Sequence, residues 1–281
     1  MYRQREHRFD TGGGMRDRAK FWHSGVPDCA DAMVSWIDGG KQPLPGIHGT
    51  GFFVRRDNRV AFVTSRHCLG APGADYDEVI RRLAIPYHGF WRPARGLLTS
   101  RDWVRFDAYA IPTADPGGDA FFLGGDLDIA ILRVSVADAR AEKRLRSRAA
   151  KLPPEGAWFA KSFTALGNNM VGDAIVLGFP REGTATSVDY DNGGVMVQGA
   201  RYQGRFGGPG DFPHTWRVKF PGAAAPDRTL DGVSGGPVFL QWRNEHGVMS
   251  ALAGMMIRGV FPDGQFIDVS WLATSLRELG I

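Results

Sequence analysis

Short apolar runs separated by polar turns make up most of this chain, and glycine (38 residues) and proline (17 residues) punctuate it throughout. The runs 49–54 and 60–64 flank a polar segment that contains Asp57 and Asn58, which predicts a β-hairpin. Further apolar runs predict strands at 33–37, 127–134, 174–178, 195–198, 215–220, 237–241 and 251–257. Many short strands with frequent turns indicate an all-β architecture.

Two segments have helical patterns instead. Residues 135–151 have a helix-forming, basic composition, and prolines at 153 and 154 end the segment. It is predicted to be a solvated connector between two halves, with a phosphate-binding face as the lesser alternative. The tail 270–279 spaces leucines along one face and predicts a closing helix.

The chain is long enough for two small packed domains. Residues 1–27 are polar and basic, and predict a mobile arm. The first domain is expected to cover 28–150, including the basic connector and a long irregular insertion near 71–122, where strands are possible around 95–98 and 103–110. The second domain is expected to cover 151–281.

Composition narrows the setting. Only two cysteines occur, Cys29 and Cys68, which excludes a disulfide-dense secreted scaffold. No signal peptide or membrane-spanning segment is visible, so a cytoplasmic protein without a membrane partner is expected. The net charge of +4 comes mainly from arginine, and a nucleic-acid partner is not expected from it.

Candidate chemistry begins at Ser234, which lies within Gly232-Val233-Ser234-Gly235-Gly236. A serine nucleophile needs a base that removes its proton and backbone N–H donors that stabilise the oxyanion. Flanking glycines allow a tight turn that exposes such donors. Taken alone, the motif is equally consistent with a glycine-rich hairpin turn.

A base and an acid are available at the ends of apolar strands. His67 follows the strand 60–64, and Asp128 begins the apolar segment Asp128-Ile129-Ala130-Ile131-Leu132. A carboxylate is costly to bury without a partner, and an imidazole N–H would be a suitable one. Asp126 competes for the same role, and a lone histidine is more often structural.

These segments together resemble the trypsin-like (chymotrypsin-fold) serine peptidases, in the family order His, Asp, Ser. The resemblance is closest to the bacterial HtrA-like branch, without its PDZ domain. It rests on five blocks: 49–54 with 63–67, 127–132, 171–180, 232–237 and 254–259.

The resemblance implies two six-stranded antiparallel β-barrels and a C-terminal helix, with the active site between the barrels. His67 would act as general base, Asp128 would orient it, and Ser234 would attack the peptide bond to form an acyl-enzyme. The N–H groups of Gly232 and Ser234 would form the oxyanion hole. The implied activity is that of a serine endopeptidase on protein or peptide substrates, with no cofactor or metal.

The primary specificity pocket is expected from the same resemblance. Its residues would be Arg228, Leu230, Ile257, Arg258 and Gly259. No acid occupies the expected floor, so a preference for Arg or Lys lacks a partner. A medium apolar side chain is predicted if Arg228 faces solvent, and an acidic one if it faces inward.

Departures from the family pattern carry further predictions. Val233 stands where digestive relatives have an aspartate, so activation through a freed N-terminus is not expected. No cysteine lies near Gly49 to pair with Cys68, so Cys29 and Cys68 are predicted to be free thiols. An intracellular peptidase needs restraint, either by narrow specificity or by a regulatory partner; the arm and the insertion are candidate control sites.

Two alternatives stay open. The barrels could form a catalytically silent binding module with a misformed oxyanion hole. An α/β-hydrolase-type esterase is less favoured, because only His246, with Glu245 before it, follows Ser234 as that fold requires.

Overall fold

The structure is a computed structural model. It describes residues 23–37, 44–71, 73–87, 103–112, 128–135, 138–152, 173–181, 187–189, 194–197, 199–212, 214–222, 230–244 and 247–278. The strands are β1 His23–Ser24, β2 Ala30–Ile37, β3 Leu44–Arg56, β4 Arg59–Thr64, β5 Arg105–Ala110, β6 Ala130–Ser135, β7 Ala150–Lys151, β8 Asp173–Gly178, β9 Ser187–Asp189, β10 Gly194–Met196, β11 Ala200–Pro209, β12 Thr215–Lys219, β13 Pro237–Asn244, β14 Gly247–Val260 and β15 Asp263–Asp268. The helices are α1 Tyr76–Arg81, α2 Ala139–Arg148 and α3 Val269–Glu278, with a 3-10 helix at Arg66–Leu69.

The C-terminal half contains a closed barrel. Its six strands follow the order β14-β13-β8-β11-β12-β15, and pairing of β14 with β15 closes the ring. The strand β1 adds to the outside of β14, where the N–H of Gly25 also donates to Val248 O at 2.8 Å. This half agrees with the predicted six-stranded antiparallel barrel.

In the N-terminal half, the described strands do not show the predicted second closed barrel. Its sheet has the order β2-β3-β4-β6-β5, with β7 parallel to β3, and the described strands leave it open. Between the edge strands β2 and β5, the residues that the structure describes make two isolated bridges, Ser35 to Leu83 and Pro86 to Trp103. An irregular segment, rather than a continuous ladder, therefore spans the gap.

Part of the predicted insertion is structured. Helix α1 begins after Asp75, whose side chain accepts a hydrogen bond from the N–H of Glu78 at 3.0 Å. The strand expected around 103–110 is confirmed as β5. The other possible strand, 95–98, lies outside the described residues, as do residues 1–22 of the predicted arm 1–27. The end of that arm is not mobile as predicted, because His23–Ser24 form β1 and pair with β14.

The first sheet is buried on both faces. Phe52 and Phe53 are neighbours on β3 and point to opposite sides, as side chains of a strand must, and both are fully buried. Phe52 belongs to the apolar cluster that continues into the second barrel. Phe53 belongs to a separate cluster that includes Phe62 and Leu145. Packing of the two halves against each other thus places their facing loops side by side.

The basic connector is helical as predicted, but it is not fully solvated. Helix α2 is capped by the Asp138 side chain, which accepts from Ala141 N at 2.7 Å, and it buries Leu145 against the first sheet. Arg148 is also buried and pairs with the buried carboxylate of Asp31 at 2.6 Å. A buried charge needs such a partner, and the pair attaches α2 to β2.

Helix α3 closes the molecule as predicted. It begins after Asp268, whose side chain accepts a hydrogen bond from the N–H of Ser270 at 2.7 Å. Leu272 and Leu276 lie on its buried face. Among the described residues, none of the helices combines the length and the apolar character that crossing a membrane requires.

Candidate active site

His67 and Asp128 are joined by two hydrogen bonds next to the ends of two inner strands of the first sheet. His67 lies in the 3-10 helix that follows β4, and Asp128 lies just before β6, the strand paired with β4. His67 Nδ1 is 2.8 Å from Asp128 Oδ2, and the backbone N–H of His67 donates to Asp128 Oδ1 at 3.0 Å. The carboxylate therefore fixes both the ring and the main chain of the histidine. Asp126, the competing acid, lies outside the described residues.

The two partners differ in exposure. The side chain of Asp128 is 10% exposed and that of His67 is 49% exposed, so the imidazole reaches solvent while its partner is shielded. Burial lowers the pKa of His67, but the hydrogen bond to Asp128 and the interactions with Cys68 and Asp128 outweigh it and raise the pKa from 6.5 to about 10. The pair thus favours the imidazolium form.

The Ser234 segment is a tight turn that only glycine accommodates at position 232. The N–H of Val233 donates to Leu230 O at 3.0 Å, and Gly232 has a φ of 83°. Because Asp231, the second residue of this four-residue turn, does not have a positive φ, the positive φ at Gly232 identifies a type II turn. A Cβ on Gly232 would also lie 2.6 Å from Phe179 O, so both conformation and space exclude a side chain.

Two N–H groups of this turn are left for a ligand. Across the described residues, those of Gly232 and Ser234 have no hydrogen-bond acceptor. The neighbouring N–H groups all donate to backbone carbonyls: Val233 to Leu230 (3.0 Å), Gly235 to Met256 (2.7 Å) and Gly236 to Val233 (2.9 Å). The two free donors are those that the family resemblance assigns to an oxyanion hole.

The hydroxyl of Ser234 has a local partner in this structure. Ser234 Oγ donates to Ile257 O at 3.2 Å, and no hydrogen bond joins it to His67 among the described atoms of the two residues. The main chain of Ser234 nevertheless lies against the histidine turn, because Cys68 Sγ is 3.5 Å from Ser234 O. Rotation of the Ser234 side chain is needed before it can donate to His67.

Thr50 joins the two halves at this point, and sequence reasoning gave it no role. It is fully buried on β3, and its hydroxyl donates to Gly232 O at 2.7 Å and accepts from Phe179 N at 2.9 Å. Its N–H donates to Ser234 O at 3.0 Å. Thr50 lies within the 49–54 block, but the pattern of that block does not reveal contacts made 182 residues away along the chain.

The expected pocket residues are partly brought together. Leu230 is buried against Gly259: a Cβ on that glycine would lie 2.7 Å from Leu230 Cδ1. Ile257 is buried beside Ser234, whereas Arg258 is exposed and turned towards Asp211. Arg228 lies outside the described residues. Leu230 thus occupies the space next to Gly259, a contact that the sequence did not indicate.

The two cysteines are free and buried, as predicted. Burial of Cys29 raises the pKa of its thiol. Gly49 has no side chain to meet Cys68, and a Cβ at Gly49 would lie 2.5 Å from Cys68 Sγ. Within the described residues, no group of three or more His, Cys, Asp or Glu side chains is placed to hold a metal ion.

Comparison with known proteins shows the family to which the chain belongs. The profile of the trypsin-like peptidase domain matches residues 49–245, more than half of the 281-residue chain. A search of curated proteins gives no match.

Two solved structures illustrate the structural likeness. A thermostable serine protease, AL20, from an extremophilic microorganism is 12% identical, with 90% of this chain and 96% of that chain covered and a TM-score of 0.46. A structure from work on aromatic interactions in the coupled folding and binding of the intrinsically disordered Sesbania mosaic virus VPg protein is 15% identical, with 92% and 97% covered and a TM-score of 0.40.

Proposed function

Since the chain belongs to the trypsin-like peptidase family, we propose that it is a serine endopeptidase whose triad is His67, Asp128 and Ser234. The observation that carries the proposal is the combination of two features on turns that contact each other, since Cys68 Sγ lies 3.5 Å from Ser234 O. His67 is held by Asp128 through two hydrogen bonds, and the turn at Ser234 presents the two free N–H donors of Gly232 and Ser234.

The roles follow from the chemistry of acyl transfer. Ser234 Oγ attacks the scissile carbonyl carbon while His67 Nε2 takes its proton, and the carbonyl oxygen becomes an oxyanion. The N–H groups of Gly232 and Ser234 would bind that oxyanion. Collapse of the intermediate breaks the C–N bond, and His67 returns the proton to the leaving amine. Water then repeats the sequence on the acyl-enzyme and releases the second product.

A binding edge for an extended peptide lies next to the nucleophile. From Arg258 to Val260 the strand β14 pairs with β15 on one side, and the described residues place no strand on the other. An exposed sheet edge recognises an extended peptide through main-chain hydrogen bonds. This supports a protein or peptide as the substrate.

A fluorophosphonate probe tests the proposal directly, because only an activated serine reacts rapidly with it. The intact protein should gain one label, mapped by peptide mass spectrometry to Ser234, and should cleave peptide amides. Ser234→Ala should lose the label, whereas the control Ser147→Ala, at a serine on helix α2, should keep it. A protein that hydrolyses esters but no peptide bond would contradict the endopeptidase proposal.

A silent binding module is the second candidate, and one observation favours it. Ser234 Oγ donates to Ile257 O rather than to His67, and the raised pKa keeps His67 protonated near neutral pH. This candidate predicts peptide binding without labelling at any pH. The peptidase proposal predicts labelling that accelerates as the pH rises towards the pKa of His67.

The likeness to the HtrA-like branch, the cytoplasmic location and control by a regulatory partner stay predictions. Buried free thiols at Cys29 and Cys68 are compatible with a reducing compartment. Thiol counting on denatured, unreduced protein purified from its host would test the location: fewer than two reactive thiols would indicate an oxidising one.

A further inference from the structure

Arg258 is the first exposed side chain beyond the nucleophile along the open edge of β14. It follows Ile257, which is buried and whose carbonyl accepts the hydrogen bond from Ser234 Oγ. The side chain of Arg258 is 48% exposed. A positive charge therefore lies one residue from the point where the edge meets the nucleophile.

Arg258 is held in place by its neighbours. Its Nη2 donates to Asp211 Oδ2 at 2.8 Å and lies 3.4 Å from Gln265 Oε1. Its Cζ lies 4.1 Å from the centre of the Phe212 ring, within the range of a cation–π contact. The guanidinium is thus fixed before any ligand arrives, so less side-chain entropy is lost on binding.

The polar cluster formed by Arg258, Arg217, Asp211 and Gln265 has a net positive charge. Asp211 accepts from Arg217 at 2.5 Å as well as from Arg258, so one carboxylate faces two guanidinium groups. Hydrogen bonds from Gln265 and Arg217, and the charges of Arg217 and Arg258, hold the pKa of Asp211 below its usual value and keep it ionised. One positive charge remains available to an anionic group.

The open edge of β14 determines which residue of a bound peptide lies opposite Arg258. A peptide that pairs antiparallel with β14 and presents its scissile carbonyl to Ser234 places the attacked residue opposite Ile257. The residue before it in the peptide then lies opposite Arg258. Directly opposite residues of an antiparallel pair point to the same face, so these two side chains meet.

We propose that Arg258 selects an acidic side chain at the second residue on the N-terminal side of the scissile bond. The proposal rests on the peptidase function and its binding edge, and it names the substrate class: peptides with Glu or Asp at that position. Selection there is separate from the choice of the residue whose carbonyl is attacked.

Two peptides that differ only by Glu or Gln at this position provide the test, because the side chains have the same shape. The full-length protein should favour the Glu peptide in kcat/KM by about three- to fivefold at low salt, as expected for a half-exposed ion pair. Arg258→Gln should bring the ratio to one, and Arg258→Glu should invert it towards a Lys peptide. Arg258→Lys should keep the preference, which shows that the fold tolerates substitution there.

Arg146→Gln is the matched control, because it removes one charge on helix α2, where Arg146 pairs with Glu142. It should keep the wild-type ratio. Raising the ionic strength to about 1 M, where the Debye length is about 3 Å, should reduce the ratio. An unchanged ratio in Arg258→Gln would overturn the proposal.

Binding to Ser234→Ala separates the two proposals. Calorimetry measures the ratio of the affinities for the Glu peptide and the Gln peptide, and this ratio does not depend on turnover. A preference in binding without turnover in the wild type would support Arg258 and contradict the peptidase proposal. Turnover without a preference would contradict the Arg258 proposal alone. The absence of both turnover and a binding preference would contradict both proposals.

Discussion

The two sides of the candidate site are built in different ways. On the first sheet, the acid–base pair is a side-chain arrangement, in which the Asp128 carboxylate holds the ring and the backbone of His67. In the second half, the turn at Ser234 is a main-chain arrangement of backbone hydrogen bonds and a positive φ at Gly232. Changes on the first side should therefore alter proton transfer, whereas changes on the second should alter the positions of the N–H groups of Gly232 and Ser234.

The sharpest test of this division is removal of a group from each side. Ser234→Ala and His67→Ala should each lower kcat by about five to six orders of magnitude, because the two act in one proton transfer. The double variant should lose no more than either single variant. Steady-state kinetics on a peptide amide, with circular dichroism to check folding, measures both.

Additive losses would break the comparison. They would mean that Ser234 and His67 contribute to independent steps, and the triad assignment would then be wrong.

Asp128→Asn should act through His67 alone. The amide cannot hold the histidine in the required tautomer, and about a 10⁴-fold loss of kcat is expected. The pH dependence of kcat/KM provides a second test of this pair. With a pKa near 10, His67 is neutral only in alkaline solution, so kcat/KM should rise with pH up to that range. Asp128→Asn should move this limb to lower pH, because the hydrogen bond and the charge of Asp128, which raise the pKa of His67, are then removed.

The pH dependence of the free energy of unfolding, measured for the wild type and for Asp128→Asn, tests the pKa of His67 independently of kinetics. A histidine pKa that is higher in the folded than in the unfolded state stabilises the fold fully below pH 6.5, and this contribution is lost as the pH rises towards 10. Denaturant unfolding should show this pH dependence in the wild type and not in Asp128→Asn. Asp126→Asn, the control, should resemble the wild type; an essential Asp126 would overturn the assignment.

Thr50 connects the two sides and should give the next largest effect. Thr50→Val keeps the shape but removes the buried hydroxyl that donates to Gly232 O and accepts from Phe179 N. An unsatisfied buried group costs about 1–3 kcal/mol of the free energy of unfolding. A shift of the turn by about 1 Å could lower kcat about 10²-fold, with little change in the pKa of His67.

Thr50→Ser retains the hydroxyl and should recover most of both losses. A fall in activity without any loss of stability, or a shifted pH profile, would contradict a role in positioning the turn.

Much of the fold follows from local patterns, which explains what the sequence predicted and what it did not. Alternating and continuous apolar runs mark strands such as β4 and β13 to within a few residues, because burial of a strand depends on its own side chains. Closure of a sheet depends on edge partners far apart in the chain, so local patterns do not predict how the described strands of the first sheet end at β2 and β5. The burial of Arg148 was likewise hidden, because its partner Asp31 lies 117 residues away.

The candidate site divides in the same manner. The residue types and spacing of His67, Asp128 and Ser234 were visible as motifs. The conformation of the turn, with its free N–H groups at Gly232 and Ser234, depends on φ and on hydrogen bonds that no motif encodes. Thr50 shows this most clearly, because its hydroxyl acts across the interface between the halves.

The smallest predicted effect concerns specificity within the second half. Leu230 is buried and fills the space beside Gly259, so we expect a small or medium apolar residue at the attacked position of the substrate. Leu230→Ala removes three side-chain carbons, so it should enlarge this space and shift preference towards a large aromatic residue by at least about tenfold in the ratio of kcat/KM values. Leu240→Ala, the same truncation on β13, should destabilise the barrel without changing the ratio. Paired peptide substrates with Ala or Phe at that position measure it, and dominant cleavage after Arg or Lys in either protein would refute the pocket assignment, because an apolar contact at Leu230 offers a cation no partner.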